Sequence, residues 1–271
     1  MAEQKQSILY SKEDGIGIIT FNRPEKMNAV TDDLLVDLTN VISDITLDDE
    51  VRVVILTGNG RAFCAGADVS VGLARDQEVA AREREAKIKK VDLPDNPLPR
   101  WTFTHIPKPT IAAVNGAAVG IGAEWTAQCD VRIASEAARF GWVFPMRGLT
   151  PDTGAGPYLL PYIVGLGKAL ELLYSGDIID AREAERIGLV SRVVPPEELM
   201  PAAKEMAQRL VRGAPLAIKG IKELTYGALE WPPSLHHEET GKRLRASSLS
   251  EDVKEGIRSF LEKRPPVWQG K

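Results

Sequence analysis

Two apolar runs each break into a glycine-bearing turn that leads toward a helix, and this repeated order constrains the chain more than any other feature. The first run, residues 51–57 (VRVVILT), passes Gly58-Asn59-Gly60 and reaches Arg61-Ala62-Phe63-Cys64-Ala65-Gly66-Ala67-Asp68. The second, residues 109–114 (PTIAAV), leads into Asn115-Gly116-Ala117-Ala118-Val119-Gly120-Ile121-Gly122-Ala123-Glu124. Short apolar runs bounded by turn residues read as buried strands. A helix start leaves its first N–H groups unpaired, so such turns present donors. Two of them brought together aim a pair of amides at one oxygen, the arrangement that stabilises an oxyanion in acyl chemistry. Glu124, near the start of the second helix, would set a carboxylate beside that pair.

The rest of the chain supplies further strands and helices around these turns. Residues 16–21 (IGIITF) read as a strand stopped by Asn22-Arg23-Pro24. Residues 31–46 carry Leu34, Leu35, Leu38, Val41, Ile42 and Ile45 at helical spacing, with Thr31 as the N-cap and Asp32 and Asp33 at the positive end of the dipole. Residues 72–100 are first highly charged and then proline-rich, which predicts a solvated helix and a loop of the kind that lids a pocket. A helix is expected from about 120 to 127 and a strand at 129–134, followed by loops around a site over 139–164. Helices at 166–174 and 180–187 come next, with Asp180 and Glu183 spaced as a capping box, and then a short strand at 189–194. Three helical stretches close the chain: 197–212, 215–229 and about 236–262. Alternating strands and helices predict a largely parallel α/β core over 1–199, with a helical region over 200–271.

Composition narrows the function. The chain is 44% hydrophobic with a net charge of −4, so no basic face for nucleic acid or anionic membrane is expected. No run approaches a membrane span, and the polar N-terminus lacks a signal-peptide core. Two cysteines, Cys64 and Cys129, offer no disulfide framework, which fits a reduced, cytoplasmic setting. The three histidines, His105, His236 and His237, lie far apart in sequence or side by side, so no His-rich metal site is expected, and no G-x-S-x-G elbow is present. Cys64 adjoins the first turn, but no histidine neighbours it, so it is expected to be a small core hydrophobe. Trp101, Trp125 and Trp142 are candidates for an acyl pocket wall or for the core.

In their order and spacing, several short motifs together resemble the enoyl-CoA hydratase/isomerase (crotonase) superfamily over nearly the whole chain. They are Asn22-Arg23-Pro24-Glu25 to Asn28-Ala29, Phe63 to Asp68, Ala113-Val114-Asn115-Gly116, Glu124, Cys129-Asp130, Phe140-Gly141, Pro151-Asp152, Gly188-Leu189-Val190 and Phe260 to Arg264. The resemblance implies a spiral of ββα units followed by helices used for trimer assembly, as a homotrimer or a dimer of trimers. It implies an acyl-CoA thioester substrate and no cofactor beyond the coenzyme A carried by that substrate. Carried over by residue, the amides of Ala65 and Ile121 would bind the thioester oxygen, with Gly120 beside them. Lys26, Ala29, Gly66, Ala67 and Asp68 would line the CoA path, and Phe260 and Lys263 would reach CoA from a neighbouring subunit.

One position departs from the pattern. Hydratases of this family usually hold a second glutamate where this chain has Phe144, and hydration needs two carboxylates around one water. Asp152 offers a substitute, and the pairing of Phe144 with Asp152 resembles the 1,2-epoxyphenylacetyl-CoA isomerase branch, although that branch generally lacks the carboxylate matching Glu124. Double-bond isomerisation by Glu124 and Asp152 is therefore the expected reaction. Enoyl-CoA hydration is its close alternative, and a non-catalytic CoA-binding scaffold is the alternative of another class.

Overall fold

The computed structural model describes residues 6–68 and 77–271. Two sheets run side by side. The larger has the order β1 (Ile8–Glu13), β2 (Ile16–Phe21), β3 (Val53–Gly58), β5 (Thr110–Val114), β7 (Val131–Ser135), β10 (Arg192–Val194), and only its β1–β2 pair is antiparallel. The smaller has the order β4 (Ala62–Cys64), β6 (Ala117–Val119), β8 (Arg139–Gly141), β9 (Ile178–Asp180), with β9 antiparallel to β8. Successive turns of the chain place one strand in each sheet: β3 then β4, β5 then β6, β7 then β8. This is the expected ββα spiral, seen most plainly in β5, β6 and the following helix α3 (Ile121–Gln128).

The central strands β3 and β5 are buried at nearly every position because both faces are covered. Val54, Leu56, Ala112 and Val114 face one cluster with Phe63, Trp125 and Phe140. Val53, Ile55, Ile111 and Ala113 face the other, which is closed by Leu199, Ala202, Ala203 and Ala207 of α7 (Leu199–Val211). The first helix of the expected C-terminal region thus packs on the sheet. The remaining helices are α1 (Asp32–Leu47), α2 (Gln77–Lys87), α4 (Ala155–Val164), α5 (Leu166–Ser175), α6 (Ala181–Arg186), α8 (Pro215–Gly227), α9 (Pro233–Ser248) and α10 (Glu251–Glu262).

Several expectations change. β1 precedes the first expected strand; of its six residues only Ile8 is buried and the rest are exposed, as in an edge strand. Residues 139–164 are not loops alone but hold β8, a 3-10 turn (Phe144–Arg147) and α4, whose Pro161 and several small residues mask its helical period. The expected helix over 236–262 is two helices, because the Ser250 side chain accepts the Val253 amide and caps a new start. Asp180 does cap α6 by accepting the Glu183 amide at 2.8 Å, but Glu183 pairs with Arg186 rather than closing a box. Of the charged segment at 72–100, α2 is held to α1 by Arg84–Asp32 and Lys87–Asp33 contacts of 3.0 Å each; its first residues, 72–76, lie outside the described part. Among the described residues, no helix is long and apolar enough to cross a membrane.

Candidate active site

The two glycine turns meet. A Cβ on Gly122 would lie 2.0 Å from the Cys64 carbonyl, and one on Gly66 would lie 3.3 Å from the Val119 carbonyl. No side chain larger than hydrogen fits at Gly122, so the start of α3 is pressed against the end of β4. Gly120 precedes α3 at φ 59° and ψ −125°, a conformation that side chains oppose. Two buried or half-buried amides hold the first turn in place. Asn28 Nδ2 donates to the Ala62 carbonyl at 2.7 Å, and Asn115 Nδ2 donates to the same oxygen at 3.1 Å. Asn115 Oδ1 also accepts the Gly58 amide at 3.1 Å.

The expected donor at Ala65 is corrected. Its N–H donates to the Met27 carbonyl at 3.0 Å and is not available to a ligand. Met27 can offer that oxygen because it and Asn28 adopt left-handed backbone, φ 51° and 57°. The free amide is two residues on. Val30 donates to the Gly66 carbonyl and accepts from Asp68, each at 2.9 Å, so the peptide N–H of Ala67 between them faces away from Val30. Among the described residues, the Ala67 N–H has no acceptor in the protein. Ile121 opens α3, and its N–H lacks an intrahelical partner for the reason every helix start does. The pair of unengaged amides beside the apposed glycines is therefore Ala67 with Ile121.

The residues expected along a CoA path gather on this side. Arg23 donates to the Ala29 carbonyl and pairs with Asp68 at 3.3 Å. Lys26 is exposed beside them. Phe260 and Lys263 are not part of this gathering within one chain. Phe260 is 81% exposed on α10, on an apolar groove shared with Leu216, Leu244 and Trp268.

Glu124 is 0% exposed, on a helix whose every residue after Ile121 is buried. Three donors enclose its carboxylate. Trp142 Nε1 donates to Oε1 at 3.0 Å, the Gly156 amide donates to Oε2 at 3.0 Å, and the Thr153 hydroxyl donates to Oε2 as well. A Cβ on Gly156 would lie 1.9 Å from Oε1, so the turn before α4 closes over the carboxylate. Burial pushes the Glu124 carboxyl above its ordinary value, and the nearby Asp152 charge adds to this, while the three donors oppose it.

Asp152 stands in that same turn with an exposed side chain. Surrounding protein pushes its carboxyl up, and the Thr153 amide holds it down. Its charge acts on both Glu124 and Cys64, the residue that ends β4. Trp142 is neither a free pocket wall nor plain filler: it is buried and serves Glu124. Phe144 is 7% exposed and packs in the core cluster, so this position supplies no carboxylate. Cys64 is fully buried and its thiol is pushed up to about 12, as a core hydrophobe requires. Sequence reasoning missed Thr153, Gly156 and Gln128, which the site joins only through three-dimensional contacts; the small residue after Gly154-Ala155 was the one local signal. Among the described residues, no group of His, Cys, Asp or Glu could hold a metal ion.

Known proteins match this chain along almost all of its length. The family profile described as Enoyl-CoA hydratase/isomerase matches residues 11–271. The short-chain-enoyl-CoA hydratase of Clostridium acetobutylicum is 38% identical over 95% of this chain and 95% of its own length. The 1,2-epoxyphenylacetyl-CoA isomerase of Escherichia coli is 33% identical over 97% of this chain and 98% of its own. The crystal structure of an enoyl-CoA hydratase from Bacillus anthracis superposes with a TM-score of 0.87, at 33% identity, covering 98% of this chain and 100% of that one.

Proposed function

The chain belongs to the enoyl-CoA hydratase/isomerase family, and we propose that within it the protein moves the double bond of an enoyl-CoA thioester. The thioester oxygen accepts from the Ala67 and Ile121 amides. Asp152 takes a proton from C2, the C–H electrons pass into the carbonyl, and the resulting dienolate is held as an oxyanion on the two amides. Asp152 then returns the proton at C4, so that a 3-enoyl thioester becomes the conjugated 2-enoyl thioester with no atom gained or lost. Each amide of such a pair is worth about 10²–10³-fold in rate. Glu124 remains behind, its carboxyl held by Trp142, Thr153 and Gly156, while the surrounding protein raises Asp152 and so strengthens it as a base.

The observation that carries this reading is the enclosure of Glu124. Hydration needs two carboxylates that share a water, but both oxygens of Glu124 already accept from protein donors and the group has no exposed surface. Asp152 is the carboxylate open to a ligand. Hydration remains the second reading because relatives such as the Clostridium acetobutylicum protein carry the hydratase name. The test offers a 3-enoyl-CoA and a 2-enoyl-CoA separately and follows ultraviolet absorbance and product mass. Isomerisation gives an absorbance change at constant mass; the gain of one water by the 2-enoyl substrate overturns it. Detectable thioester binding with no turnover of either supports the scaffold reading.

Assembly follows the same logic. The apolar groove of α8, α9 and α10 with exposed Leu244, Ile257, Phe260 and Leu261 is a face that a neighbouring copy would cover. A homotrimer or a dimer of trimers is the assembly proposed, and light scattering that gives a monomer at working concentration overturns it.

A further inference from the structure

Thr153 is the point where three separate segments meet. Its carbonyl accepts from Trp101 Nε1 at 3.0 Å. Its hydroxyl oxygen accepts from the Ala155 amide at 3.2 Å and from Gln128 Nε2 at 3.3 Å. The Gln128 side chain can be turned only one way, because its Oε1 accepts the Phe103 amide at 3.3 Å. A hydroxyl carries one proton and two acceptor lone pairs. Here both lone pairs face N–H groups that cannot reverse. The single proton is thereby directed to Glu124 Oε2.

Every polar group against the carboxylate is thus a donor, and each stabilises its charged form. Of the three donors, Thr153 alone also belongs to the residue next to Asp152 and fixes the turn that carries it. We propose that Thr153 is the positioning residue of the site: its one-way hydroxyl orients the Glu124 carboxyl as an acceptor and holds Asp152 at a set offset from it. This builds on the isomerase reading only where turnover is concerned, since the hydrogen bonds stand on their own. The charged or titratable groups around Glu124 are few. Asp152 comes from the turn before α4, and Cys64 from β4 stays neutral with its thiol near 12. Arg132 from β7 is turned to the far end of α3, on the carbonyls of Thr126 and Cys129.

The experiment compares Thr153→Val, which keeps the branched shape and removes the O–H, with Thr153→Ser, which keeps the O–H. The titration of the Glu124 carboxyl is followed by side-chain ¹³C NMR in the whole protein, the signal being assigned by its loss in Glu124→Gln. In Thr153→Val the midpoint rises by roughly one to two pH units, the worth of one hydrogen bond to a charged group. In Thr153→Ser it returns close to the parent. With a 3-enoyl-CoA, Thr153→Val lowers kcat with little change in KM, its acid limb moves upward, and Ser restores both. An unmoved midpoint in Thr153→Val, or a Ser variant that shifts as far as Val, overturns the assignment. Should Thr153→Val fail to fold, Gln128→Met releases one lone pair and lets the hydroxyl turn; the Glu124 midpoint then also rises, and its failure to rise overturns the assignment equally. If the midpoints move as stated while the parent isomerises no enoyl-CoA, the isomerase reading falls and the Thr153 assignment survives.

Discussion

The start of α3 and the turn before α4 each carry a carboxylate, and they hold it in opposite ways. Glu124 sits on a helix buried on all sides after its first residue, and three donors from distant segments close around it. Asp152 sits in a turn held mainly through the next residue, with its own side chain exposed. Surrounding protein raises the proton affinity of both, but only Asp152 has an exposed side chain. A shifted carboxyl is therefore a poor guide by itself to which group moves the proton; access decides between them.

Removing the open carboxylate is the strongest way to break that contrast. Asp152→Asn should lower kcat on a 3-enoyl-CoA by about 10²–10⁴-fold, with a thermal midpoint near the parent's. A loss under tenfold would mean that the enclosed group does the chemistry after all. Next comes the contact between the two regions. Gly156→Ala places a methyl 1.9 Å from Glu124 Oε1 and 2.8 Å from Trp142 Nε1. Displacing the turn by about an ångström should cost about 10²-fold in kcat/KM, and calorimetry should show a lowered unfolding temperature as well.

Trp142→Phe sharpens the comparison from the buried side. It keeps most of the packing and removes one donor from Glu124 Oε1, so stability near neutral pH should fall by about 1–3 kcal/mol in urea unfolding. The smallest effect is on the pH dependence of stability. Glu124 has a folded-state value above its ordinary 4.5. The folded protein therefore holds the proton more tightly, and this contribution to stability is present at low pH and lost as pH rises from about 4.5 through the raised value. Asp152, also raised, adds a slope of the same sign. Glu124→Gln should flatten the decline in that window, as read by urea midpoints across pH; an unchanged slope would place Glu124 in an ordinary, solvated setting.

Much of this architecture was legible in the sequence. The apolar runs at 51–57 and 109–114 and the glycines after them located both turns, and the family motifs located Glu124 and Asp152. The choice of amide was not legible, because a turn sequence does not say which N–H points inward. That depended on Val30 bridging Gly66 and Asp68, and on Met27 in left-handed backbone taking the Ala65 amide. The donors around Glu124 were hidden for a similar reason: Trp142, Thr153 and Gly156 are brought to it by the path of the chain, not by local spacing. α4 escaped because Gly156, Pro157 and Pro161 blur its period, and the α9–α10 break escaped because one serine cap interrupts a pattern that otherwise continues.

The Ala62 carbonyl, which receives Asn28 and Asn115 together, has a bearing on how the protein responds to acid. Both clasps are neutral amides on a neutral oxygen, so neither gains nor loses charge anywhere between strongly acidic and strongly alkaline solution. The proposed cradle for a thioester oxygen should keep its shape while the carboxylates beside it change state. Inactivation on mild acidification would then be a matter of misplaced protons in an intact frame, reversed at once when the buffer is restored.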